Sequence, residues 1–116
     1  MLRSLPDLIQ EARTNLRCIT AVQAIEEQQL NGGVVIDVRE PGELQQKAAP
    51  KSIPIPRGVL EMKIGEVAPA IDDPIYLHCA TGGRATLAAE QLTRLGYNSV
   101  AVITCNLEAV CVAQNA

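Results

Sequence analysis

Apolar residues recur at helical spacing in four segments of the chain. The predicted helices cover residues 5–16, 20–30, 60–67 and 84–95. The first is amphipathic, and we expect it to lie against the domain as an N-terminal helical extension over residues 1–17. The second begins with Thr20-Ala21-Val22-Gln23, a capping box in which the threonine and glutamine side chains satisfy free backbone amides. Gly96 is expected to end the fourth.

Short apolar runs between these helices predict buried strands at residues 34–38, 74–79 and 99–103. The first run, VVIDV, is β-branched on both faces, which is typical of a parallel sheet covered by helices. The proline-rich connector at 49–56 allows at most a short edge strand, because proline lacks the amide that a central strand donates. This alternation predicts one parallel α/β domain over residues 1–116, with one core.

Composition and charge narrow the class of protein. A chain of 116 residues that is 47% hydrophobic is ordinary for one compact domain. The net charge is -3 and no run of Lys or Arg is present, so we expect no nucleic-acid partner. Charged residues scattered through residues 1–17 predict neither a signal peptide nor a membrane-spanning segment, and we expect a cytoplasmic protein without a membrane partner. The four cysteines are therefore expected to be reduced thiols.

The candidate chemistry lies where the second strand ends, in the segment Cys79-Ala80-Thr81-Gly82-Gly83-Arg84. Ligands of parallel α/β sheets bind beyond the carboxyl ends of the strands. We expect Gly82 and Gly83 to adopt positive φ and to aim backbone amides into one concavity, beside the positive end of the helix that starts near Arg84. This environment favours a thiolate, and Arg84 adds a cation suited to oxyanions. We interpret Cys79 as a nucleophile rather than a packing residue.

Three segments, in order and at suitable spacing, resemble the rhodanese-like sulfurtransferase family over about residues 19–103. They are VIDVREPGE at 35–43, IPRGVLE at 55–61 and CATGGRA at 79–85. The resemblance implies a central five-stranded parallel sheet flanked by helices. It also implies that Cys79 takes the outer sulfur of a donor, such as thiosulfate or a persulfide, as a persulfide of its own. Amides of the loop from Ala80 to Arg84 would hold that sulfur, and cyanide, a small thiol or a protein thiol would remove it, without a metal or organic cofactor.

The resemblance also bears on Asp37 and Arg39, at the end of the neighbouring strand. It makes them organisers of the active-site face, whereas their charges alone predict an ion pair that holds the connector. The chain departs from the family at residues 105–110, where CNLEAV replaces a Gly-Gly-aromatic segment. It departs again at Ala80, where members that use thiosulfate often carry a basic residue, so we expect thiosulfate to be a poor donor.

Two other functions compete with sulfur transfer. Some dual-specificity phosphatases share the fold implied here, but five residues separate their catalytic cysteine and arginine, whereas four separate Cys79 and Arg84. A shorter ring of amides fits one sulfur atom better than a phosphate, which disfavours a phosphatase or arsenate reductase. The third hypothesis is a rhodanese-like module that binds or regulates a partner without turnover. Such a module has no need of a cysteine at position 79.

The remaining candidate residues favour structural roles. Strand alternation turns His78 away from the side that Cys79 uses, which favours a hydrogen-bonded structural histidine over a general base. A zinc site is disfavoured, because His78, Cys79, Cys105 and Cys111 lack the usual ligand spacing. Cys105 and Cys111 are interpreted as packing residues. The alternative for Cys105 is a thiol that resolves the persulfide, since it follows a strand and could reach the same sheet end as Cys79.

Overall fold

The computed structural model describes residues 1–115. The helices are α1 (Leu5–Arg13), α2 (Ala21–Asn31), α3 (Pro41–Gln46), α4 (Leu60–Lys63), α5 (Gly83–Leu95) and α6 (Leu107–Asn115), and the strands are β1 (Arg17–Ile19), β2 (Val34–Asp37), β3 (Ile53–Pro54), β4 (Ile75–His78) and β5 (Val100–Ile103). No helix within residues 1–115 combines the length and the apolar character that a membrane crossing needs.

All five strands run parallel in one sheet, in the order β1-β5-β4-β2-β3. This arrangement confirms the predicted fold class, a single α/β domain with a five-stranded parallel sheet between helices. β4 lies in the centre of the sheet, and its last residue, His78, pairs with Asp37 of β2. Residues that follow β4 and β2 therefore emerge side by side at one edge of the sheet.

The two faces of the sheet bury two separate apolar clusters. Leu77 and Cys79 belong to the cluster under α4 and α5, whereas Tyr76 and Ile103 belong to the cluster under α2 and α6. Successive residues of a strand point to opposite faces, so the alternation along β4 assigns each side chain to its cluster. The α5 face is thus the one on which Cys79 lies.

The sheet begins earlier than the sequence pattern predicts. Residue 17, assigned above to the helical extension, is the first residue of β1, and α1 ends at Arg13. The predicted helix over 5–16 is correct in its first part, but Leu16 lies outside the helix and packs against the α4/α5 cluster. β1 escaped detection because it has three residues and buries only Ile19.

Predicted helix boundaries are confirmed where a specific side chain caps the helix. The predicted capping box is confirmed: the Thr20 side chain accepts from the Gln23 amide, and the Gln23 side chain accepts from the Thr20 amide. The helix predicted over 60–67 is wrong in extent, because only Leu60–Lys63 is α-helical and 3₁₀ turns flank it. α3 was not predicted, although it begins with proline and is capped through Glu43.

Candidate active site

Cys79 lies directly after the central strand, and the loop that follows it closes around its sulfur. The residue is 1% exposed. Its Sγ accepts hydrogen bonds from the amides of Gly82, at 3.1 Å, and Ala85, at 3.4 Å. Of the amides predicted to face the sulfur, Gly82 is the one that donates to it among the described residues, and Ala85 was not predicted. Two backbone donors therefore converge on the atom where a thiolate would carry its charge.

The two loop glycines have different backbones. Gly82 has φ +98°, in the region that favours glycine, and caps α5. The prediction of positive φ at Gly83 is wrong, because Gly83 is the first residue of α5 and takes a helical backbone. Its missing side chain instead leaves room for Ile9 of α1, whose Cδ1 would lie 3.1 Å from a Cβ at this position. One glycine shapes the loop and the other lets α1 approach it.

Two contacts from outside the loop fix its position. The buried Thr86 hydroxyl donates to the carbonyl of Gly82 at 2.7 Å. The amide of Leu107, the first residue of α6, donates to the carbonyl of Ala80 at 3.1 Å. α6 thus holds the loop although the family's Gly-Gly-aromatic segment is replaced. Thr81 is exposed at the surface of the loop.

Arg84, the predicted oxyanion cation, is bound by an acidic side chain from α3. Its Nη1 and Nη2 donate to the two carboxylate oxygens of Glu43 at 2.6 and 2.9 Å. The Arg84 side chain holds the pKa of Glu43 down at about 2, and the amide of Glu40 adds to that effect. The pKa of Arg84 is raised, first by the hydrogen bonds that it donates to Glu43. This pair joins α3 to the start of α5, and the charge of Arg84 is largely compensated within it.

Asp37 and Arg39 form a buried ion pair, with residue exposures of 1% and 3%. The Arg39 side chain donates to both carboxylate oxygens of Asp37 through Nε, at 3.0 and 3.1 Å, and to Oδ2 through Nη2, at 2.8 Å. Nη2 also donates to the carbonyl of Lys47, the residue that caps the end of α3, at 2.9 Å. The predicted ion pair is thus formed, and it ties the end of α3, just before the connector, to the same sheet edge as the loop.

His78 lies on the face opposite Cys79, among residues of the connector and α6. Its Nε2 shares a hydrogen bond of 2.7 Å with the Ser52 hydroxyl, which accepts from the Gln114 amide at 2.8 Å. Burial lowers the pKa of His78, so the neutral ring is favoured. These contacts agree with the predicted structural role. The ring is nevertheless not fully satisfied, because Nδ1 makes no hydrogen bond with any described residue.

Two of the other cysteines, Cys105 and Cys111, pack on the face of the sheet opposite Cys79. All four thiols are free. Cys105 and Cys111 pack with the α2/α6 cluster, and the Cys105 sulfur accepts from the amide of Ala21 at 3.3 Å. Cys79 belongs to the cluster on the other face. Among residues 1–115, no group of three or more His, Cys, Asp or Glu side chains is arranged to hold a metal ion.

Besides the Ala85 amide, three side chains that contribute to the site were missed from the sequence: Glu43, Thr86 and Arg13. The capping role of Glu43 could have been predicted, because Glu-Pro-Gly-Glu is typical of a helix N-terminus with an acidic residue at its third position. Thr86 lies on the buried face of α5 and looks like any small core residue. Arg13 lies in α1, and only the folded chain brings it to the loop, where its Nε donates to Thr86 at 3.0 Å.

The fold and the site define the class of this protein: a parallel α/β domain whose central strand ends in a loop that surrounds a cysteine sulfur. Comparison with known sequences identifies the family. The family model described as "Rhodanese-like domain" matches residues 20–112, and the chain belongs to that family. It is similar to a Schizosaccharomyces pombe protein named "Putative thiosulfate sulfurtransferase, mitochondrial", with 37% identity over 78 residues. That match covers 58% of this chain and 55% of the other, so the chain spans about half the length of this curated relative.

Solved structures agree on the fold. A Rhodopseudomonas palustris protein described as of unknown function, "Possible Tyrosine Phosphatase", superimposes with a TM-score of 0.80 at 25% identity, covering 97% of this chain and 92% of that one. An Escherichia coli rhodanese solved with anions superimposes with a TM-score of 0.61 at 28% identity, covering 66% of this chain and 89% of that one. Both likenesses extend over most of the chain's fold.

Proposed function

We propose that this protein is a sulfurtransferase that carries sulfur as a persulfide on Cys79. One observation carries the proposal: the amides of Gly82 and Ala85 converge on the cysteine sulfur at 3.1 and 3.4 Å. Donors fixed in place stabilise negative charge without having to reorganise during a reaction. A persulfide anion places its charge one sulfur–sulfur bond, about 2 Å, beyond Sγ, still within reach of a ring of amides. The likeness to the yeast protein supports thiosulfate or a related compound as donor.

The proposed transfer has two balanced steps. The Cys79 thiolate attacks the outer sulfur of the donor, the donor's sulfur–sulfur bond breaks, and the electron pair leaves on sulfite, a sulfinate or a thiolate. An acceptor thiolate or cyanide then attacks the outer sulfur of the persulfide, and the Cys79 thiolate leaves. Both steps are nucleophilic displacements at sulfur, which a thiolate and fixed hydrogen-bond donors suffice to promote.

The other site residues position the loop in this proposal. Arg84 joins the loop to α3 through Glu43, and its remaining field favours an anion at Cys79. Asp37 and Arg39 hold the connector at the same sheet edge. Ala80 and the exposed Thr81 follow Cys79 directly in the loop, and we expect both to contact the donor.

A turnover assay tests the proposal. The protein is supplied with thiosulfate or an organic persulfide as donor and cyanide as acceptor, and thiocyanate is measured. We expect Cys79→Ser to abolish turnover, because a serine hydroxyl stays protonated and forms no persulfide. Cys105→Ser is the matched control, and it should retain activity, since Cys105 packs in the cluster on the other face. Thiocyanate formation that survives in Cys79→Ser, or no turnover with any donor, would overturn the proposal.

A phosphatase is the second candidate, and the Rhodopseudomonas palustris structure is the observation that favours it. The spacing argues against it here, because only four residues separate Cys79 from Arg84, and Arg84 is bound to Glu43 rather than free for a phosphate. We expect negligible hydrolysis of an aryl phosphate. Hydrolysis that disappears in Cys79→Ser would replace sulfur transfer with the phosphatase.

A further inference from the structure

The N-terminal helix forms one wall of a pocket whose other wall is the active-site loop. The pocket has a volume of about 570 Å³. Its lining residues are Leu5, Pro6, Ile9, Gln10 and Arg13 from α1, and Thr81 and Gly83 from the loop. The part of the chain that matches the family starts at residue 20, so this wall lies outside the matched region. The pocket is therefore a feature of this chain that the family relationship does not assign.

Arg13 is held against the loop in a fixed position. Its Nε donates to Thr86 Oγ1 at 3.0 Å, and the Thr86 hydroxyl donates to the Gly82 carbonyl. Its Nη2 lies 2.9 Å from the position that a Cβ on Gly82 would take. Because the amide of Gly82 is 3.1 Å from the Cys79 sulfur, standard bond lengths place Nη2 within about 9 Å of that sulfur.

The charge of Arg13 is available to a ligand, unlike that of Arg84. Glu43 binds both terminal nitrogens of Arg84. Among residues 1–115, no carboxylate lies within salt-bridge distance of Arg13. At a separation of about 9 Å, an uncompensated cation changes the free energy of an anion enough to alter a rate constant severalfold. Arg13 is thus the cation beside the loop best placed to attract an anionic donor.

The rest of the α1 wall is mostly apolar, with Gln10 as its one polar side chain beside Arg13. Leu5 and Ile9 lie one helical turn apart on the same face of α1 and both line the pocket. Leu5 is largely exposed, and an apolar ligand group that covered its side chain would bind favourably. A ligand that matches this wall has an anionic group for Arg13 and an apolar group for the two aliphatic side chains.

We infer that this pocket is the donor subsite for organic thiosulfonates, compounds of the form R–SO₂–S⁻. Arg13 binds the sulfonyl oxygens, and the apolar group R lies on Leu5 and Ile9. The inference rests on the proposed function, which it deepens by naming the donor class. The Cys79 thiolate attacks the outer sulfur, the bond between the two donor sulfurs breaks, and its electron pair leaves on the sulfinate R–SO₂⁻. No oxidant or reductant enters the step.

The test compares three donors, benzenethiosulfonate, methanethiosulfonate and thiosulfate, with cyanide as acceptor. Arg13→Gln should lower kcat/KM about five- to twentyfold for benzenethiosulfonate and methanethiosulfonate, and the loss should shrink as salt is added. Arg13→Lys should retain much of the activity because it keeps the charge. Arg3→Gln is the matched control, since Arg3 lies in the same N-terminal segment but pairs with Glu11.

A second pair of variants tests the apolar wall. Leu5→Ser should lower kcat/KM about threefold or more for benzenethiosulfonate and leave methanethiosulfonate unchanged, because only the larger group reaches the side chain. Leu8→Ser is the control, an exposed leucine of α1 that does not line the pocket. Thermal melting of each variant reports whether α1 stays in place.

Failure of this inference is distinguishable from failure of the proposed function. Wild-type turnover that responds to Arg13→Gln and Leu5→Ser no more than to their controls would overturn the donor subsite and leave sulfur transfer intact. Binding of unreactive benzenesulfonate is measured separately by calorimetry in Cys79→Ser. If the wild type shows no turnover with any donor, but Arg13→Gln weakens the binding of benzenesulfonate, sulfur transfer is rejected and the pocket is retained as a sulfonate site.

Discussion

The buried ion pair at the edge of the sheet gives a sharp prediction about stability. Replacing Asp37 by Asn keeps the shape of the side chain but removes the charge that compensates Arg39. The Asn amide group would face an arginine nitrogen that now donates to Asp37 Oδ2 at 2.8 Å, so one of these donors loses its acceptor. Arg39 is 3% exposed, and water cannot replace the lost carboxylate.

The magnitude follows from this burial. Removing one partner of a buried pair costs about 3–5 kcal/mol, because the remaining charge stays uncompensated. At a urea m value of about 1.5 kcal/mol per molar, Asp37→Asn should lower the midpoint of unfolding by about 2–3 M. The double variant Asp37→Leu with Arg39→Met should recover much of the loss, since it removes both charges together.

The matched control is an ion pair near the surface. Arg57 and Glu61 lie one helical turn apart, with the glutamate side chain 39% exposed. Glu61→Gln should cost less than about 0.5 kcal/mol. Urea unfolding followed by far-UV circular dichroism measures all three variants. If Asp37→Asn lost no more stability than Glu61→Gln, the argument that burial makes the pair costly to break would be refuted.

Three further predictions concern pH and backbone conformation. Burial lowers the pKa of His78, so the unfolded chain binds more protons there than the folded protein. The free energy of unfolding should therefore fall as pH drops below 6.5, and the fall should be shallower in His78→Gln. Urea titrations at several pH values measure both. The pKa of Glu43, about 2, should rise towards 4.5 in Arg84→Gln, and an unchanged carboxyl NMR titration would contradict this. Gly82→Ala should lower Tm more than Gly96→Ala, because both have positive φ but only at Gly82 does a new Cβ meet close neighbours; equal losses would leave strain alone as the cause.

The sequence predicts the three central strands well because each is apolar along most of its length. A run such as VVID has one stable location, the centre of a parallel sheet, and so do the runs that became β4 and β5. β1 is different. It lies at the edge, exposes Arg17 and Cys18, and pairs only with β5, so its position depends on tertiary contacts rather than on its own pattern.

Only the part of the candidate site that is formed by residues close together in the sequence could be predicted. The cysteine, the glycine at positive φ and the start of α5 lie within a few residues of one another, and their local geometry follows from residue type. Contacts between distant segments could not be foreseen. The pairing of Glu43 with Arg84 and the approach of Arg13 to Thr86 each join separate elements, and no periodicity specifies which carboxylate meets which arginine.

The position of sulfur on the protein tests the central claim most directly. Reduced protein is incubated with thiosulfate or an organic persulfide, freed of small molecules, and its intact mass is recorded without reductant. We predict a gain of one sulfur atom in the wild type and in Cys105→Ser, reversed by cyanide, and no gain in Cys79→Ser. The same cyanide-reversible gain in Cys79→Ser would place the chemistry on another thiol and contradict the account.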